Sequence, residues 1–193
     1  MKKTSFAVAA AAVGVFSLAG SGAVWAAGAG PSHCQDTRAG QPCSRLTFLG
    51  LASAAVGRMG IFEGAELLEG RGVSPSGSTS DVTGITDWEF IFRLPGNRHA
   101  VIQATSGGDF SDPALYSRPW LGSQALTWNP SDFIDIGEAD SRLKHAGYTG
   151  TYDSVTFRKP LYPGVTQPSY IFGLSDGSRI AVGAADGAVV PFR

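Results

Sequence analysis

The clearest pattern along the chain is alternation of apolar and polar positions, the period of two expected of a strand. In SYIFGLSDGSRIAVGAADGAVVPF (169–192), Tyr170, Phe172 and Leu174 alternate with Ile171 and Gly173, and Ile180, Val182 and Ala184 alternate on the return. Asp176-Gly177 and Asp186-Gly187 turn the chain, since Gly tolerates φ > 0 and Asp bonds its own backbone. The stretch predicts a three-stranded meander closing over 188–192. An offset of 80 residues finds a weaker copy in EFIFRLPGNRHAVIQATSGG, with Ile91/Ile171, Phe92/Phe172, Leu94/Leu174, Ala104/Ala184 and Gly107/Gly187 identical. It predicts a hairpin of Trp88–Leu94 and His99–Thr105 around a Pro-Gly-Asn turn.

Two stretches change to helical spacing. Leu46, Leu49, Ala52, Val56 and Met59 make one apolar stripe after Ser44, a candidate N-cap, although Gly50, Gly57 and Gly60 weaken the helix. Asp135 with Glu138 three residues on forms a capping-box-like start for a second helix, on which Ile136, Ala139, Leu143 and Ala146 share a face before Gly147. Residues 62–68 read as a helical turn or a first strand, and GRGVSPSGSTSD (70–81) as a loop. Ser154–Leu161 reads as a strand, and Tyr162-Pro163-Gly164 as the turn out of it. Residues 106–131 have no sustained period and carry three prolines, the composition of a long connection.

Composition adds a compartment. Lys2 and Lys3, the apolar run Phe6–Ala19 and the small residues of Val24-Trp25-Ala26 make a secretory signal over residues 1–26. Cleavage would leave 167 residues and move the net charge from −1 to −3, a balance that argues against a nucleic-acid partner. No later segment is apolar enough to span a bilayer, so stable membrane insertion after cleavage is not expected. Cys34 and Cys43, nine apart around Gly40-Gln41-Pro42, read as a small structural disulfide in an oxidising compartment. The alternatives are a metal or redox pair, for which His33 is the nearby ligand.

IDIGEADSRLKHAGY, followed by strands ending in VGAADGAVVPF, resembles the PepSY and PepSY-like exported domains. The likeness covers about residues 132–192 and, more loosely, 44–110, and the long SVTFRKPLYPGVTQPSYIF stretch departs from the family pattern. The resemblance implies an acid-capped helix on an antiparallel sheet, and a non-enzymatic envelope domain that binds or inhibits a peptidase. It carries over no catalytic residue.

Candidate chemistry is sparse. Asp132, Asp135, Glu138 and Asp140 lack the spacing of a Ca²⁺ loop, and helix capping accounts for two of them. His33, His99 and His145 have no helical partner of zincin type, and no G-x-S-x-G elbow occurs. GRGVSPSG fails the dinucleotide fingerprint. No catalytic residue, metal or cofactor is assigned. Tyr116, Arg118, Trp120 and Trp128, set among turn residues, are the candidate binding residues, because amphipathic aromatics with Arg give contact area at little entropic cost. Packing over the seam between halves is the alternative. Arg93, Arg98, Arg158, Lys159 and Arg179 fall on strands or hairpin tips, where they would decorate one sheet face.

The expectation is an α+β protein of two related halves, each a helix packed on an antiparallel sheet. Its divisions are a signal peptide (1–26), a disulfide segment (27–43), a first half (44–110), a connection (111–131) and a second half (132–193). Its expected role is an exported binding or inhibitory module acting on another envelope or secreted protein. A small hydrolase with a site between the halves, or a self-associating subunit of an extracellular assembly, are the alternatives.

Overall fold

The computed structural model describes residues 47–116, 119–161 and 165–192. The expected signal peptide, the Cys34 and Cys43 of the expected disulfide, the candidate cap Ser44, Arg118 and the expected 162–164 turn lie outside them.

Both alternating stretches form the hairpins they predict. Among the described residues the chain runs α1 (Phe48–Met59), β1 (Glu66–Val73), β2 (Asp87–Leu94), β3 (Arg98–Thr105), β4 (Ala114–Tyr116), β5 (Ser123–Gln124), α2 (Ile136–His145), β6 (Tyr152–Pro160), β7 (Ser169–Leu174), β8 (Arg179–Gly183) and β9 (Val189–Pro191). The 106–131 connection thus contains β4, β5 and the start of a short 3₁₀ turn at Pro130–Asp132. The GRGV reading as loop is corrected: Glu66–Val73 is one strand, its two interior glycines sitting where aromatic rings press against the backbone. A Cβ at Gly72 would lie 2.7 Å from the Trp88 ring, so only glycine fits without a shift.

The two-half expectation is overturned. All nine described strands belong to one antiparallel sheet, in the order β4-β3-β2-β1-β6-β7-β8-β9, with β5 pairing with β6 beside that path. The joint is the β1–β6 ladder, Glu69↔Arg158 through Val73↔Ser154. Pairing the two strands leaves neither with an unsatisfied row of backbone groups, which a separate sheet would expose at its edge. The β1–β6 ladder ends at Glu69↔Arg158, where β1 also bulges against β2 between Leu67 and Glu69. There β5 takes up the β6 edge, and Leu126 N–H donates to Leu67 O.

The core is shared as well. Even-numbered β2 residues Trp88, Phe90, Phe92 and Leu94 face the helices together with Ala100, Ile102, Phe157, Tyr170, Phe172, Ile180 and Val182. Phe48, at the start of α1, places its ring 4.9–6.0 Å from those of Trp88, Phe90, Phe157 and Tyr170. A single side chain therefore joins what would have been two cores. Thr47 caps α1. Asp135 caps α2 as expected, its Oδ1 accepting from Ile136 N–H at 2.8 Å, and it also accepts from Leu49 N–H at 3.2 Å, tying the two helix starts together. Glu138 bonds Arg142 instead of closing a capping box. No described helix is long and apolar enough to cross a membrane.

Candidate functional site

Strand alternation sends every second residue to the face opposite the helices. The cross-strand register arranges these residues in rows: Glu69–Arg158–Ser169–Gly183, Arg71–Thr156–Ile171–Ala181, and Val73–Ser154–Gly173–Arg179. Between β1, β6, β7 and β8 they enclose a groove of about 320 Å³, lined by Glu69, Arg71, Thr156, Arg158, Ile171 and Arg179 among others. Gly173 keeps its floor flat, because a Cβ there would stand 2.6 Å from Ser154 Oγ across the ladder.

At one end of the groove lies a polar knot around Glu69, whose side chain is 0 % exposed. Its Oε1 accepts from Arg71 Nε at 2.6 Å, and its Oε2 accepts from Ser123 Oγ at 2.7 Å and from Trp120 Nε1 at 3.3 Å. Arg158 Nη1 stands 3.9 Å from the same oxygen. The Arg71 guanidinium lies 4.3 Å above the Trp120 ring, a cation–π contact, and Tyr116 meets Trp120 edge-on at 5.7 Å. A buried carboxylate is tolerated only when its lone pairs are filled, and here two donors from the 106–131 connection help to fill them. The knot thereby fastens that connection to the sheet. Burial raises the neighbouring Glu89 carboxyl above the ordinary range, with the Arg71 charge opposing and Glu69 adding to the rise.

The candidate binding residues are divided between the faces. Tyr116 and Trp120 come together on the open face. Trp128 lies on the helix side, where Nε1 donates to Ser53 Oγ at 3.3 Å and the ring packs on Phe133 and Phe157. Of the basic set, Arg158 and Arg179 line the groove, whereas Arg93 is paired with Glu66 at 2.6 Å. Glu69, Arg71, Ser123 and Thr156 were not singled out from sequence. The Glu-x-Arg spacing places Glu69 and Arg71 on one strand face, but only the tertiary register brings Arg158 and Ser123 to them. Asp140 is occupied by Lys144 Nζ at 2.6 Å and by Tyr152 OH at 3.1 Å. No cluster of three metal-ligating side chains occurs among the described residues.

No family model, curated protein or solved structure matches the chain.

His99 also belongs to the open face, buried between Arg93 on β2 and Tyr116 on β4. Burial, and secondarily the Arg93 charge, hold its imidazole below the usual 6.5. The folded state then favours the neutral ring, so its contribution is complete above about pH 6.5 and falls as pH drops from there toward the lower folded value. Urea unfolding at stepwise pH should show this loss, and His99→Gln should flatten it. An NMR titration giving His99 a pKa above 6.5 would contradict the assignment.

Proposed function

We propose that the chain is an exported binding or inhibitory module whose recognition surface is the open face of the sheet. The observation that supports this most directly is the groove bounded by Arg71, Arg158 and Arg179. Its one carboxylate, Glu69, is buried and engaged by Arg71, Trp120 and Ser123, so it serves to hold the surface in place. The ends of the sheet, β4 and β9, are three residues each, and β9 contains Pro191, which makes them poor templates for strand addition between copies. Residues 1–26 supply the export reading, and the PepSY resemblance nominates a peptidase as the first partner to try.

The test places a bulky side chain in the groove. Thr156→Trp fills the floor from the open face, and Glu138→Trp adds the same bulk on the outer side of α2. Cross-linking to an envelope and secreted extract, read by mass spectrometry, should recover one partner with the wild-type chain and with Glu138→Trp but not with Thr156→Trp. Equal recovery with Thr156→Trp, or no partner at all, would overturn the reading.

A further inference from the structure

From the charge and shape of the groove we infer that its occupant is an extended acidic peptide segment, held through carboxylates on Arg71, Arg158 and Arg179. This rests on the open-face reading and narrows it to one ligand chemistry. Three guanidiniums line the groove against one carboxylate, and that carboxylate is the buried Glu69. Arg71 is committed to Glu69 and faces Glu89 across the β1–β2 ladder, so the outward cationic excess is carried mainly by Arg158 and Arg179. Arg179 is exposed and its side chain has no ion-pair partner among the described residues. Arg158 retains 21 % exposure, and its Nε finds no acceptor among the described residues.

The layout favours a chain over a compact anion. The three arginines stand on β1, β6 and β8, and β1 to β8 is three strand spacings, about 14 Å at about 4.8 Å each. That is the reach of about four extended residues. A single phosphate could reach Arg71 and Arg158, which converge on Glu69, but not Arg179 as well, whereas successive carboxylates could each take a planar guanidinium fork. Between the arginines the floor offers the hydroxyl residues Ser154 and Thr156 and the apolar Val73 and Ile171, suited to a peptide backbone and the stems of acidic side chains.

Calorimetric titration of the whole chain at about 0.15 M salt, an ionic strength that screens exposed charges beyond about 8 Å, tests this with acetylated hexaglutamate, hexaglutamine and inorganic phosphate. Hexaglutamate should saturate one site and hexaglutamine should not. Arg179→Gln should weaken binding about fivefold or more, an effect free of any packing change because Arg179 is exposed, and Arg158→Gln should weaken it further. Failure of hexaglutamate to bind, equal binding of hexaglutamine, displacement by phosphate at equal concentration, or unchanged affinity in Arg179→Gln would each overturn the inference. The inference fails separately from the open-face reading: partner capture lost in Thr156→Trp but intact in Arg179→Gln would keep the open face as the interface and remove its preference for acid.

Discussion

Replacing Glu69 with alanine is expected to destabilise the fold by about 3 kcal/mol, the low end of the range for removing one partner of a buried ion pair, because Arg71 and Arg158 retain 44 % and 21 % exposure and can rehydrate. The substitution leaves the Trp120 indole N–H and Ser123 hydroxyl without their acceptor and removes the carboxylate from between Arg71 and Arg158. Trp120 should then leave the Arg71 guanidinium and become solvent-exposed, shifting tryptophan emission to longer wavelength in the native baseline. Glu69→Gln separates the contributions, because its amide oxygen still accepts from Trp120 and Ser123 while the charge is gone. It should fall between wild type and Glu69→Ala in urea unfolding. A Glu69→Ala protein within about 1 kcal/mol of wild type would mean that the connection is fastened by something other than this knot.

Phe48→Ala is expected to be at least as damaging, about 3–5 kcal/mol, from lost transfer free energy and the cavity left behind. The residue is 2 % exposed and touches rings from both sides of the β1–β6 joint. Because one core serves the whole sheet, the variant should still unfold in a single transition with a lower midpoint. Two separable transitions would show that the meanders fold as independent units and would argue for the two-sheet organisation after all.

The parts of the structure legible in sequence were those governed by local rules. Alternation placed both hairpins, Asp135 and Gly147 marked the limits of α2, and the Asp-Gly turns fell at Gly177 and Gly187, whose φ values are 85° and 69°. The merging of two sheets into one was not legible, because it depends on β1 pairing with residues 81 to 89 positions further along, and GRGV has the composition of a loop. The two glycines that suggest a loop are there to admit Phe48 and Trp88 against the strand. Of the candidate site, Tyr116 and Trp120 were visible as aromatics among turn residues. The carboxylate that holds Trp120 was hidden in ELLEG, where nothing in residue type separates the exposed Glu66 from the buried Glu69. Trp128, like Trp120, sits among turn residues, and only the path of the chain after β5 sends it to the other face.

The measurement that bears most directly on the open face as recognition surface is NMR mapping of amide shifts in the labelled chain on addition of the cross-linked partner or of hexaglutamate. The expected result is a contiguous patch comprising Arg71, Ser154, Thr156, Ile171 and Arg179, with the α1 and α2 amides unmoved. Perturbations gathered instead on the outer sides of α1 and α2, with the groove amides unchanged, would contradict it.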